Sequence, residues 1–214
     1  MDIRTKEAVR YLGYGRSAVD EKTLQLVKDS FAELEGYASV KFTYRTFELS
    51  FSDTDELTIG NMTIRSKNLA KNLQGCRSAV VLAITLGTAV DLLLKRYSVV
   101  DMAKVVVLQA CATTLLEESC DEVQGQIAEE LETSRQHFRP RFSPGYGDFS
   151  ILHQEEILRM LDASKRIGLS MTDNSMLIPT KSVTAVIGIS DTKESCHIRG
   201  CEACEKLDCS YRRS

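Results

Sequence analysis

The stretch that decides the fold is Ala79-Val80-Val81-Leu82-Ala83-Ile84-Thr85-Leu86-Gly87-Thr88. Its first six residues form a short, uninterrupted apolar run, which is typical of a strand that is buried in the middle of a sheet. The residues from Thr85 to Thr88 interrupt that run, and a helical pattern follows them. The stretch therefore predicts a central strand with a turn and a helix directly after it.

The residues before this strand predict a mixture of helices and strands. In chain order the predicted elements are a helix capped by Asp20 and ended by Gly36, a strand over Val40–Phe51, a hairpin that turns at Gly60-Asn61, and a short helix from Ser66 to Gly75. The alternation within the strand changes parity between Tyr44 and Phe47, which predicts a bulge or a turn between them.

The residues after the central strand predict mainly helix. They comprise a helical pattern from Val99 to about Ser134, a helix over His153–Ile167, and a last strand over Val183–Ile189. Strands and helices do not alternate regularly, which favours an α+β fold over a doubly wound sheet. We therefore predict one α+β domain over residues 1–190, with a mainly antiparallel sheet and several helices, followed by a short Cys-rich tail over residues 191–214.

Composition excludes several classes of function. The 214 residues include 27 Lys and Arg and 30 Asp and Glu, and the net charge of −3 gives no general attraction to nucleic acid or to an anionic membrane. Asp101 and Lys104 interrupt the most apolar stretch, Val99–Leu116, so we expect a buried helix there rather than a membrane span. The first residues lack the apolar core of a signal peptide, and a cytoplasmic protein is expected.

The loop Arg139–Phe149 combines two prolines, two arginines and two glycines around Tyr146. Proline fixes the φ angle of the backbone, and glycine allows conformations with positive φ that other residues rarely adopt. This composition therefore predicts a loop with one unusual, fixed conformation. A guanidinium binds a carboxylate through two parallel hydrogen bonds, and Tyr146 adds an apolar ring with a hydroxyl. The loop therefore suits a small zwitterionic ligand that carries a ring system. A rigid connection whose arginine pairs with helix-end carbonyls is the alternative.

Arg141-Phe142-Ser143-Pro144-Gly145-Tyr146 resembles the R-x-x-x-G-Y motif of the activation domain of cobalamin-dependent methionine synthase. A long acidic helix precedes the motif, as in that family, and Met176–Val183 is similar to the family's Met…Pro…Ser-Val segment. The Thr85-Leu86-Gly87 turn also fits. The resemblance covers roughly Ala79 to Ser190.

The resemblance implies that the chain binds S-adenosylmethionine through Arg141, Gly145 and Tyr146, with Pro144 shaping the loop. It further implies a stand-alone reactivation subunit that supports the reductive methylation of cob(II)alamin, as a component of a methyltransferase rather than a complete enzyme. The cobalamin would be bound by a methionine synthase module on another chain, and an electron donor would be needed. The chain departs from the family's pattern where Thr184–Ile187 replaces an aromatic-rich segment.

Four of the seven cysteines lie close together in the tail, as Cys196-x4-Cys201-x2-Cys204-x4-Cys209 with His197 alongside. This spacing predicts a metal site, and either an iron–sulfur cluster or tetrahedral zinc fits four thiolates. A reduced tail without metal is the alternative. The other three, Cys76, Cys111 and Cys120, are predicted to be small core residues. If the tail is the functional part, the chain is instead a metal-binding redox or assembly protein.

The tail generates a direct prediction. The full chain, prepared without oxygen, should hold one iron–sulfur centre or one zinc ion, and a variant truncated after Ser190 should hold none yet remain folded. The gaps of four, two and four residues allow four thiolates to converge at little entropic cost. Metal analysis of the two proteins side by side measures this. Equal iron and zinc contents in both would contradict the metal site.

Overall fold

The centre of the fold is the strand β4, Cys76–Thr85, as predicted. The computed structural model describes residues 1–14, 17–131 and 137–191. In it, β4 pairs with β1 on one side and with β8 on the other, and both pairings are antiparallel. Every residue from Ala79 to Thr85 is buried. The six-stranded sheet has the order β3-β2-β1-β4-β8-β5, and β6 and β7 form a separate pair.

The described residues contain seven helices and eight strands. The helices are α1 Ile3–Tyr11, α2 Glu21–Tyr37, α3 Lys67–Asn72, α4 Thr88–Val100, α5 Met102–Glu130, α6 His153–Met160 and α7 Ala163–Ile167. The strands are β1 Lys41–Phe51, β2 Glu56–Ile59, β3 Met62–Arg65, β4 Cys76–Thr85, β5 His137–Phe138, β6 Ser170–Met171, β7 Leu177–Ile178 and β8 Ser182–Ser190. The predicted α+β fold with a mainly antiparallel sheet is confirmed.

The sheet separates two apolar clusters. Val80, Leu82 and Ile84 face a cluster built with α2, α4 and α5. Ala79, Val81 and Ala83 face a second cluster built with the β2–β3 hairpin, α3, α6 and α7. Since both faces of β4 are covered by apolar residues, alternation disappears from its sequence and a continuous apolar run results.

The predicted bulge in β1 is wrong. β1 pairs with β4 in unbroken register from Lys41↔Thr85 to Glu48↔Ser78. Phe42 and Tyr44 pack against the helical cluster, and Phe47 packs against the hairpin cluster on the other face. The change of parity therefore marks the point where the apolar side chains pass from one face of a straight strand to the other.

Two predicted helices have different bounds. The pattern that begins at Val99 spans the end of α4 and the start of α5, because Asp101 ends the first helix and caps the second through Lys104 N at 3.0 Å. The predicted helix His153–Ile167 is divided into α6 and α7 at Asp162, whose φ of 51° is left-handed. Among the described residues, no helix is both long enough and apolar enough to cross a membrane.

Candidate functional site

The outer edge of β8 positions the loop Arg139–Phe149. β5 pairs with the end of β8, and the chain then continues along the same edge. Arg139 N donates to Gly188 O at 2.8 Å, and Phe142 exchanges two hydrogen bonds with Val186, at 2.9 and 2.8 Å. The loop therefore begins as an extension of the sheet, and its first part is tied to the core.

The loop then turns sharply at Gly145, whose φ of +88° is left-handed. Gly145 N donates to Phe149 O at 2.7 Å, and Tyr146 N donates to Ser143 O at 3.1 Å. Phe149 is only 1 % exposed and anchors the end of the turn in the core, and Pro144 is also buried. A side chain at Gly145 would be strained and would place its Cβ 3.1 Å from Ile151 Cδ1.

Tyr146 projects from this turn. Its side chain is 66 % exposed, and its ring meets the ring of Phe142 edge to face with centroids 5.5 Å apart. Other exposed apolar side chains lie nearby in sequence, at Ile151 and Leu152. The turn therefore presents an aromatic ring with a hydroxyl at the surface, beside apolar neighbours.

The guanidinium of Arg141 contacts α5. Its Nη1 donates to Asp121 Oδ1 at 2.6 Å and to Gln124 Oε1 at 3.2 Å, and its Nη2 donates to Glu117 Oε2 at 3.1 Å. The alternative expectation, an arginine of this loop paired with a helix-end carbonyl, holds for Arg139, whose Nη2 donates to Gln74 O at 3.1 Å just after α3. The partners of Arg141 are instead side chains within α5. Burial lowers the pKa of Arg141, and the hydrogen bond to Asp121 with the neighbouring negative charges more than offsets this, so the net pKa is raised.

The contacts with α5 engage only some of the donors of the Arg141 guanidinium. Arginine has five N–H donors, and the contacts with α5 engage three of them. Within the described part of the chain, no acceptor is bonded to Nε of Arg141. The α5 side chains therefore hold the guanidinium through its two terminal nitrogens, and Nε takes no part in these contacts.

The second segment of the resemblance, Met176–Val183, reaches the same helix. Lys181 Nζ donates to Gln109 O at 3.2 Å and to Thr113 Oγ1 at 3.0 Å. Thr113 and Glu117 are four residues apart, so they lie on one face of α5. Burial lowers the pKa of Lys181. The structure thus places Arg141 and Lys181 from two loops along a single polar face of α5, lined in order by Gln109, Thr113, Glu117, Asp121 and Gln124.

Sequence reasoning missed the specific partners of Arg141. The sequence indicated an acidic helix before the motif, but not that Glu117, Asp121 and Gln124 are the side chains of that helix that meet Arg141. Their spacing of four and seven residues from Glu117 is the helical signal that would have grouped them. His153, at the start of α6, stacks on Phe149 with ring centroids 5.5 Å apart, and its Nδ1 lies 3.5 Å from Glu156 Oε2.

The predicted metal ligands Cys196, Cys201, Cys204 and Cys209 lie outside the described residues. Among residues 1–14, 17–131 and 137–191, no group of His, Cys, Asp and Glu side chains is arranged to hold a metal ion. The three core cysteines are buried thiols, as predicted, and burial raises the pKa of both Cys111 and Cys120 to about 12. These thiols are therefore inert packing residues.

A solved protein structure has a fold similar to that of this chain. The chain is similar to a protein described as the MetH reactivation domain bound to AdoHcy, with a TM-score of 0.61. The similarity covers 89% of this chain and 77% of the other at 15% sequence identity, so it is a likeness of fold. No protein-family model and no curated protein matches the chain.

Proposed function

We propose that this protein binds S-adenosylmethionine and serves as a reactivation subunit of a cobalamin-dependent methionine synthase. The observation that carries the proposal is the loop Arg141–Tyr146. Its R-x-x-x-G-Y sequence lies at the edge of a sheet whose fold is similar to that of the MetH reactivation domain, and that domain was solved with AdoHcy bound. AdoHcy is the product that S-adenosylmethionine becomes when it gives up its methyl group.

The methionine end of the ligand fits the polar face of α5. Its carboxylate would bind the Nε edge of Arg141, which the contacts with Asp121, Gln124 and Glu117 leave open. Its ammonium would lie beside Glu117, whose side chain is 45% exposed and already touches the guanidinium. The ligand's carboxylate and ammonium, which are attached to one carbon atom, would thus pair with the guanidinium of Arg141 and the carboxylate of Glu117, which contact each other.

The remainder of the ligand would lie toward Gly145 and Tyr146. The left-handed backbone at Gly145 and the absence of a Cβ there allow close approach to the chain. The exposed Tyr146 ring offers an apolar face to a flat ring system, and its hydroxyl offers a hydrogen bond. Because this side of the site is open, the sulfonium methyl would remain accessible to a docked partner.

The reaction that such binding serves is reductive methylation. A cobalamin held by the partner would supply the cobalt that accepts the methyl group, an external donor would supply the one electron that reduces cob(II)alamin, and S-adenosylhomocysteine would be left. The residues of this chain bind and orient the sulfonium compound. No nucleophile is required of them. The exposed apolar side chains of Tyr146, Leu152 and Met176 provide surface for transient docking of the cobalamin module.

In the alternative function, a metal-binding redox or assembly protein, the Cys-rich tail is the functional part and the Arg141 loop is only structural. Ser190, the last residue of β8, pairs with His137 at the start of the segment that leads into the Arg141 loop. The Cys-rich tail therefore begins at the sheet edge that carries the loop. A redox centre in the tail would serve the electron transfer that reductive methylation needs, whereas zinc would serve structure or docking.

Replacing Arg141 with Ala should weaken S-adenosylmethionine binding strongly. Loss of the partner of a buried carboxylate costs about 2–5 kcal/mol, which corresponds to roughly 30- to 4,000-fold in Kd. Arg141→Lys should recover only part of this, because an ammonium cannot make two parallel hydrogen bonds. Calorimetry provides the measurement. Decarboxylated S-adenosylmethionine is the control ligand, since it should bind wild type and Arg141→Ala equally. Equal affinity of both proteins for the intact ligand would remove Arg141 from the site.

Glu117→Gln should weaken binding more modestly. The substitution removes the charge that faces the ammonium but keeps the size of the side chain and an oxygen acceptor for Arg141. Because Glu117 is partly exposed, we expect a loss of about 1 kcal/mol, or roughly fivefold in Kd. The neighbouring Glu118→Gln, whose carboxylate bonds Arg4 instead, is the matched control and should bind as wild type does. A Glu117→Gln variant with unchanged affinity would place the ammonium elsewhere.

The partnership is tested by reactivation. A cognate corrinoid synthase, oxidised to the cob(II) state and supplied with reductant and S-adenosylmethionine, should regain methylcobalamin only when this chain is present. Arg141→Ala should be inactive at ligand concentrations near the wild-type Kd. The cobalt absorption spectrum follows the recovery directly. Full recovery without the chain would overturn the reactivation role while leaving ligand binding to be judged by calorimetry.

A further inference from the structure

Asp148, two residues after Tyr146, connects the loop to a distant helix. Its Oδ1 accepts from Ser66 Oγ at 2.5 Å and from Asn68 N at 3.1 Å, and its Oδ2 accepts from Lys67 N at 2.8 Å. Both carboxylate oxygens are therefore bonded to the first turn of α3, about 80 residues away in sequence. The hydrogen bond from Ser66, with further bonds from the α3 backbone, lowers the pKa of Asp148, so the group is ionised at neutral pH.

Helix capping alone does not account for this arrangement. Asp2 and Asp20 cap α1 and α2 from the adjacent position, each accepting from the backbone N–H and the hydroxyl of a threonine three residues on. α3 already has such a local cap, because Ser66 Oγ accepts from Leu69 N at 3.0 Å. Asp148 adds a second set of bonds that comes from the loop. Its additional effect is to join the loop to α3.

The neighbouring glycine supports the same conclusion. Gly147 has a φ of +57°, and a Cβ there would lie 2.6 Å from Asn68 Nδ2. The loop backbone therefore lies directly against the side chain of Asn68, whose backbone N–H donates to Asp148. α3 acts as the support on which Gly145-Tyr146-Gly147 rests, between the sheet contact of Phe142 and the buried ring of Phe149.

We propose that Asp148 is a positioning residue, which holds the Gly145-Tyr146 turn in its binding geometry by fastening the loop to the first turn of α3. This inference rests on the proposed binding of S-adenosylmethionine, and it assigns a function to a side chain that does not itself touch the ligand. A loop held in place before binding loses less conformational freedom when the ligand arrives, which raises affinity. Among the described residues, the other hydrogen bonds of the segment between Phe142 and Phe149 are bonds within the turn, such as Gly145 N to Phe149 O.

The first test compares two capping aspartates. Asp148→Ala should weaken S-adenosylmethionine binding by about tenfold or more, whereas Asp20→Ala, which removes a cap of the same chemistry far from the loop, should bind as wild type does. Asp148→Asn keeps one oxygen acceptor and should lie between the two. Calorimetry gives the affinities, and thermal denaturation shows how far each variant is destabilised. If Asp148→Ala binds like wild type, or loses no more affinity than Asp20→Ala, the proposal is wrong.

A second measurement reports on the loop without ligand. The chain has no tryptophan, so Tyr146→Trp introduces a single reporter on the turn. Adding Asp148→Ala to this variant should increase quenching by acrylamide and decrease fluorescence anisotropy, and adding Asp20→Ala should change neither. Unchanged fluorescence with Asp148→Ala would overturn the positioning role. If wild type fails to bind S-adenosylmethionine, the proposed function fails, but the fluorescence comparison still tests whether Asp148 holds the turn.

Discussion

The antiparallel pairing of β4 with β1 and β8 is the constraint on which the rest of the structure depends. β4 is buried on both faces, so each of its backbone N–H and C=O groups must find a partner on a neighbouring strand. β8 pairs with one side of β4 in regular register from Thr85↔Ser182 to Ser78↔Ile189, and Cys76 pairs with Ser190 after a register shift. The other edge of β8 is then free to pair with β5 and Phe142. The loop that carries Arg141 is consequently attached to β8, whose residues from Thr184 to Ser190 are buried.

The placement of Arg141 follows from this attachment. Its side chain lies between the sheet edge and α5 and is only 19% exposed, so it needs charged or polar partners there. Asp121, Gln124 and Glu117 provide them from one face of the helix. The same contacts keep the guanidinium in one orientation before any ligand arrives. These contacts engage three of the five donors of the guanidinium.

The turn after Arg141 has buried residues at both ends and a glycine with a left-handed backbone between them. Pro144 is buried and fixes one side, Gly145 takes a left-handed conformation, and Phe149 enters the core. Asp148 fastens the remaining side to α3. The result is an exposed tyrosine on a backbone that is held at both ends, which is the general requirement for a binding loop that must not reorganise.

The sequence by itself determined the central strand, the Gly60-Asn61 hairpin, the helix caps at Asp20 and Ser66, and the unusual composition of the loop. These features depend on residues close together in the chain. Only the tertiary structure decided that β1 has no bulge. Apolar clusters cover both faces of the sheet, so Tyr44 can pack on one face and Phe47 on the other without a break in the strand. The tertiary structure alone also decided which acids meet Arg141 and that Asp148 reaches Ser66. Those partners lie about 20 and 80 residues apart, and side chains so distant in sequence meet only through the packing of the elements that carry them.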